Sequence, residues 1–237
     1  MPDSLGIIIP VYNEAENIGK TIESIEEKVK TPHTIYIVYD FDEDNTLPVA
    51  KEFLNKGVKL TFVKNPARGV INAIRTGLKK ADEDYSLVTM ADLSDDYTVV
   101  DSMCALMEEG YDVVCGSRYM IGGKQIDGPL LKRTMSRIAG VSLRYLSGLP
   151  THDATNSFKL YRRSMVNSLE IESNGGFEIG MEIVVKAHFS GHNVTEIPTI
   201  WTDRQTGESR FKILKWAPKY LKWYFYAIRK RFNQLIS

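Results

Sequence analysis

Three groups of polar residues each follow an apolar run, and their types suit a phosphorylated ligand. The sharpest is Val88-Thr-Met-Ala-Asp-Leu-Ser-Asp-Asp96, where an apolar segment ends in the carboxylates Asp92, Asp95 and Asp96. Carboxylates at the exit of a buried strand can hold a hard divalent cation; magnesium uses one or two of them together with substrate phosphates. The same residues also suit a helix cap, where Asp is favoured. In Ile7-Ile-Ile-Pro-Val-Tyr-Asn-Glu14, Pro10 ends the strand ladder because it lacks an N–H. A ligand could lie along this end, or Asn13 or Glu14 could simply open the next helix. In Val38-Tyr-Asp-Phe-Asp-Glu-Asp-Asn-Thr46, Asp40 and Asp42 could accept hydrogen bonds from a nucleobase N–H or ribose hydroxyls, or form a solvated acidic turn. Repetition favours function: neighbouring parallel strands would bring Pro10, Asp40 and Asp92 to one rim, where open α/β sheets bind ligands.

The elements that must position these groups alternate. Strands are expected at residues 5–10, 34–39, 58–63, 85–90 and 112–115, with helices at 13–30, 46–55, 70–80 and 99–109 between them. Ile18, Ile22, Ile25 and Val29 recur at helical spacing. Such alternation implies βαβ units and a mainly parallel sheet in an α/β fold. After Cys115 the pattern changes to a Gly-rich loop at 116–128, a helix at 129–147 opened by Pro129, and a loop at 148–156. A strand at 157–161, a helix at 177–189 and a strand at 193–197 follow.

Composition bounds the rest. With 237 residues, 43% apolar and 25% charged, the chain is an ordinary globular protein. Two cysteines, Cys104 and Cys115, make no disulfide framework, so a reducing compartment is the default. No secretory signal is visible, and no apolar run approaches the ~18 residues of a membrane span. The zero net charge hides an asymmetry. From Ser209 onward there are eight basic and no acidic residues, leaving 22 basic against 30 acidic before it. A split of that kind points to an anionic partner surface.

Further motifs follow in order: Asn65-Pro-Ala-Arg-Gly69, Gly116-Ser-Arg-Tyr119, Asp153-Ala-Thr-Asn-Ser-Phe-Lys159, Glu196-Ile-Pro198 and Asp203-Arg-Gln-Thr-Gly-Glu-Ser-Arg210. Together with the Pro-Val-Tyr-Asn-Glu start and the Ala-Asp-Leu turn, residues 5–210 resemble family 2 glycosyltransferases, and within them the dolichyl-phosphate mannosyltransferase branch. The resemblance implies the GT-A fold, Rossmann-like, with a mainly parallel central sheet, and an inverting hexosyl transfer. It implies a nucleotide-sugar donor of the GDP-mannose or UDP-glucose type, a Mg2+ or Mn2+ cofactor and a polyprenyl or dolichyl phosphate acceptor. It places Pro10, Tyr12, Glu14 and Asp40 on the nucleotide, joined by Asp42. Asp92 would bridge metal and diphosphate; Ser94 and Asp95, its neighbours in this sequence rather than part of the family motif, are the further metal candidates. Arg118 and Arg133 would surround the donor and acceptor phosphates, and Arg204 and Arg210 would sit on a loop closing over the site. Arginine suits these places because its donor fork matches phosphate oxygens. Four positions depart from the pattern: Met90 stands where the family's first metal-motif acid is expected and Ser94 where a glutamine often follows, while Tyr39 and Phe41 replace the first acid and the glycine of the nucleotide turn; Asp95 or Asp96 could take over the missing ligand's role.

A lipid phosphate is already deprotonated near neutral pH and needs no base. A sugar hydroxyl, as in polysaccharide or glycolipid assembly, would need one; Asp153 is the first candidate, with Glu178 behind it. A nucleotide-sugar-binding protein with impaired catalysis is a third possibility, raised by Met90 and Tyr39. The chain is expected to divide into a domain at 1–210 and a basic, aromatic tail at 211–237. In the tail Leu214, Leu221, Phe225, Ile228, Phe232 and Leu235 share a helical stripe, with Trp216, Tyr220, Trp223 and Tyr224 beside it. That suits an interfacial amphipathic helix begun or kinked by Pro218, and a cytoplasmic, peripheral position on the inner membrane face. Packing on the domain's own core is the alternative. The acidic main body argues against a nucleic-acid partner.

Overall fold

A computed structural model of the chain describes residues 4–203 and 213–236. A seven-stranded sheet forms the centre. It is built from β1 (Leu5–Pro10), β2 (His33–Tyr39), β3 (Leu60–Lys64), β4 (Tyr85–Val88), β5 (Val113–Ser117), β7 (Lys159–Arg162) and β8 (Val194–Pro198), in the order β3-β2-β1-β4-β7-β5-β8. The pairs β1–β2, β2–β3, β1–β4 and β5–β8 are parallel; β7 runs antiparallel between β4 and β5.

Both faces of the sheet are covered. Ile7 and Ile9 of β1 face a core with Ile18, Ile22 and Ile25 of α1 (Ala15–Lys28), while Ile8 faces Ile71, Ile74 and Leu78 of α3 (Val70–Lys80). This alternation is the strand's two-residue period meeting the helices' apolar stripes. Helix α2 (Thr46–Glu52) and α4 (Val100–Glu108) complete the first half. A 3-10 turn at Tyr97–Val99 precedes α4, and Asp96 accepts from Thr98 N at its start.

The second half holds α5 (Leu130–Ser147), α6 (Arg163–Ser168), α7 (Ile179–Phe189) and α8 (Ile213–Ile236). Two short strands, β6 (Lys124–Ile126) and β9 (Ile200–Thr202), pair in parallel as a separate ribbon. This ribbon lies partly inside the segment expected to be loop, because three-residue strands carry no periodicity of their own.

The expected tail is not a free appendage. Helix α8 packs on α5 and α7, with Trp223 and Ala227 inside the core. Trp223, expected beside the interfacial stripe, is 1% exposed and donates from Nε1 to Ser173 Oγ at 2.8 Å. Leu221, Phe225, Phe232 and Leu235 of the stripe do remain exposed. Pro218 neither begins nor ends the helix but lies inside it. Among the described residues, no helix is long and apolar enough to cross a membrane.

Candidate active site

The carboxyl ends of β1, β2 and β4 open on one cavity of about 860 Å³. The antiparallel β7 adds to it for a geometric reason. Lys159, its first residue, pairs with Val88 of β4 and Cys115 of β5. The loop leading into β7 therefore reaches the same rim as the segments leaving β4 and β5. Thr155, Asn156 and Ser157 from that loop line the cavity beside Asp92 and Arg118.

At the β1–β2 end, Pro10, Tyr12, Glu14 and Asp40 all line the cavity. Asp40 accepts from Asn65 Nδ2 at 2.7 Å and from Gly69 N at 2.8 Å, and so ties the Asn65–Gly69 turn to β2. Gly69 has φ +94°, a conformation that favours glycine. Asp44, part of the acidic stretch but not singled out in it, is buried and accepts from Asn13 N and Thr46 N. It holds the turn that presents Tyr12. Asp42 is a correction: it is exposed, pairs with Lys64 and does not line the cavity. Arg68, on the same turn as Gly69, does line it.

The three carboxylates after β4 take three roles. Asp92 lines the cavity and accepts from Ser94 N at 3.2 Å. Leu93 between them has φ +59°, a strained setting for a branched side chain. Asp95 also lines the cavity but is turned inward, accepting from Thr89 Oγ1 at 2.7 Å. Burial, with Asp92 nearby, pushes its carboxyl up to about 7. Asp96 is the helix cap. Ser94 is a correction to the metal set: it is buried and outside the cavity lining, and its carbonyl accepts from Thr202 N. Among the described residues no three acidic, His or Cys side chains cluster as a metal cage. The donor set fits a cation that arrives with a diphosphate, held by Asp92 with Asp95 beside it, since magnesium accepts one or two carboxylates plus phosphates.

Arg118 is fixed by Asp153. Its Nε donates to Oδ2 at 2.6 Å and its Nη2 to Oδ1 at 3.0 Å, with Nη2 also reaching Thr155 Oγ1. The guanidinium lies over the rings of Tyr119 and Trp201. Asp153 is fully buried and also accepts from Thr155 Oγ1 and Asn156 N. Burial would raise its carboxyl, but the Arg118 charge and hydrogen bonds outweigh that and hold it below the usual range. The expected general base is therefore a brace: it lies outside the cavity lining and both oxygens are occupied. Glu178 is likewise taken, accepting from Gly175 N at 2.7 Å and Gly176 N at 2.6 Å.

On α5, Lys132 and Ser136 line the cavity, whereas Arg133, the expected phosphate contact, does not. Helical geometry separates neighbours by ~100°, so one residue decides which cation faces in. The helix is brought close by Gly140, where a Cβ would stand 2.3 Å from His152 O. From α8, Trp216, Tyr220, Leu221 and Tyr224 form the far wall. Arg204 and Arg210 lie outside the described residues.

Residues 6–169 match Glycosyl transferase family 2. The chain belongs to that family. A dolichol-phosphate mannosyltransferase from Pyrococcus furiosus is 28% identical over 230 residues, covering 92% of this chain and 64% of that protein. This chain thus spans somewhat under two thirds of that relative. A polyprenol monophosphomannose synthase from Mycolicibacterium smegmatis and a dolichyl-phosphate hexose transferase from Haloferax volcanii are each 24% identical, covering 89% and 88% of this chain and 86% of their own lengths. A glucosyl-3-phosphoglycerate synthase from Mycobacterium tuberculosis, solved with Mn2+, UDP and product, shares the fold with a TM-score of 0.66 at 14% identity, over 97% of this chain and 80% of that one. The fold is therefore the GT-A arrangement of this glycosyltransferase family, with the mainly parallel sheet and C-terminal helix that the sequence implied.

Proposed function

We propose that this family 2 chain transfers a hexose, with inversion, from a nucleoside diphosphate sugar to a polyprenyl phosphate at a membrane surface. One observation carries the reading. A single cavity runs from the nucleotide cradle, past Asp92, Arg118 and Lys132, to apolar walls on α5 and α8. Two cations in a partly apolar channel suit a phosphate joined to a hydrocarbon chain. The names of the relatives from Pyrococcus, Mycolicibacterium and Haloferax agree with that acceptor class.

Within this reading, Tyr12, Glu14 and Asp40 orient the nucleoside. A divalent cation bound with the donor would neutralise charge developing on the departing diphosphate. Arg118, oriented by Asp153, presents its remaining donors where the donor and acceptor phosphates meet. Lys132 screens the acceptor phosphate, whose oxygen attacks the anomeric carbon as the nucleoside diphosphate leaves. No proton has to be removed from such an acceptor near neutral pH, which fits the engagement of Asp153 and Glu178 elsewhere. A hydroxyl acceptor is the second reading, supported by Asp203, a carboxylate at the end of β9 that does line the cavity.

The test is transfer from a panel of GDP and UDP hexoses, with Mg2+ or Mn2+, to a short-chain polyprenyl phosphate and to saccharide acceptors. Product on the lipid phosphate supports the first reading. Product on saccharides alone establishes the second. Tight donor binding with no turnover on either acceptor would leave a nucleotide-sugar-binding protein instead.

A further inference from the structure

The small ribbon of β6 and β9 forms one side of the cavity, through Gln125, Trp201 and Asp203. The pattern follows a strand's two-residue period: Trp201 and Asp203 turn toward the cavity and Thr202, between them, turns away. Gln125 lies opposite Trp201 in the parallel register. Asp203 continues the ladder past β9, its N–H donating to Ile126 O at 3.0 Å.

Two contacts fix where the ribbon stands. Thr202 N donates to Ser94 O at 3.0 Å, which ties β9 to the turn that presents Asp92. The Arg118 guanidinium lies over Tyr119 and Trp201, 4.9 and 5.7 Å from the ring centres. The ribbon thus adjoins both the carboxylate assigned to the donor diphosphate and the cation assigned to the acceptor phosphate. The transferred hexose must occupy the same interval, because its anomeric carbon is bonded to one phosphate and attacked by the other.

The ribbon's side chains suit a sugar and not a phosphate. The other acids lining the cavity, Glu14, Asp40, Asp92 and Asp95, follow β1, β2 and β4; Asp203 stands apart from them. Among the described residues, its carboxylate accepts no hydrogen bond and forms no ion pair. An ionised carboxylate repels phosphates and accepts from hydroxyls. Gln125 is already oriented: its Oε1 accepts from Tyr119 OH at 3.0 Å, which leaves its amide N–H groups to donate. An acceptor and a donor on one face match the neighbouring hydroxyls of a pyranose.

We propose that Asp203 and Gln125 form the subsite that reads hydroxyls of the transferred hexose, Asp203 accepting and Gln125 donating. The subsite rests on the nucleotide-sugar donor of the reading above and not on its acceptor. Were the acceptor a sugar hydroxyl and Asp203 its base, loss of the carboxylate would slow transfer equally for every donor sugar.

The experiment measures affinities of the full chain, with Mg2+ or Mn2+, for GDP and UDP and for their gluco-, manno- and galactosyl conjugates. The variants are Asp203→Asn and Gln125→Ala. Wild type should prefer one hexose epimer about tenfold or more. Asp203→Asn should reduce that preference about tenfold, the scale of a hydrogen bond to a charged group, and Gln125→Ala should reduce it about threefold. Affinity for the bare nucleoside diphosphate, and its metal dependence, should stay within about twofold, because the groups changed face neither. If Asp203→Asn misfolds by circular dichroism, Gln125→Ala decides by the same ratio. No epimer preference in the wild type, or one unchanged in both variants, overturns the subsite. So does loss of metal dependence in a folded Asp203→Asn, the mark of a metal ligand, or an equal loss of saccharide transfer with every donor sugar, the mark of a base. Wild type that binds nucleotide sugars but uses no polyprenyl phosphate overturns the acceptor reading and leaves the binding ratios intact; no nucleotide-sugar binding at all overturns the donor reading, and the subsite with it.

Discussion

Replacing Asp153 by Asn separates a brace from a base. The carboxylate is fully buried, and Arg118, its partner, has a side chain only 9% exposed. Asn preserves the shape but removes the charge, leaving the guanidinium in the interior without its counter-ion. Breaking a buried pair by removing one partner costs about 3–5 kcal/mol. For a domain of this size that lowers the unfolding midpoint by about 6–20 °C. Arg118 also loses the two-point contact that orients it toward the cavity, and misplacement by ~1 Å can cost ~100-fold in rate. Thermal unfolding followed by circular dichroism, beside steady-state transfer, measures both effects. The pH dependence has a defined sign. Asp153 in the folded state lies below its ordinary 3.8, so its contribution is complete above that value and is lost as the pH falls toward the folded one. The gap between wild type and variant should therefore be full at neutral pH and shrink in acid. A variant with wild-type stability but no turnover, and a shifted acid limb of the rate profile, would refute the brace and restore the base.

Three other outcomes are expected. Asp92→Ala should remove the dependence of donor binding on Mg2+ or Mn2+ and abolish transfer, as judged by titrating the metal with and without nucleotide sugar; retained metal-dependent turnover would misplace the site. Lys132→Ala should raise the KM for a polyprenyl phosphate about tenfold, the scale of one charge-assisted hydrogen bond, while Arg133→Ala should change it less than about twofold. Trp223→Ala should destabilise the domain by about 3–5 kcal/mol in denaturant unfolding, since this residue belongs to the core; a negligible change would return α8 to the status of an appendage.

The cavity rim at the ends of β1, β2 and β4 was legible because its signals are local. Pro10, Asp40 and Asp92 each stand at the end of an apolar run, and parallel strands bring such ends to one rim. Even the ambiguity after Met90 was legible in kind: capping and cavity-facing carboxylates are both present, on Asp96 and Asp92 respectively. The surroundings of Arg118 were not. Asp153 carries the same residue type whether it acts as base or brace, and only the position of the Arg118 guanidinium distinguishes them.

The sequence by itself determined the α/β alternation, the motif order and hence the family, because hydrophobic period and strand-end chemistry are properties of neighbouring residues. The tertiary structure decided what depends on residues far apart in the chain. It inserted β7 antiparallel between β4 and β5, which brings residues 155–157 beside Asp92. It rotated α5 so that Lys132 rather than Arg133 faces the cavity, and it seated Trp223 of the basic tail in the core. The physical reason is common to all three: which side of a helix or strand faces inward is set by the partner it packs against, and that partner is not adjacent in sequence.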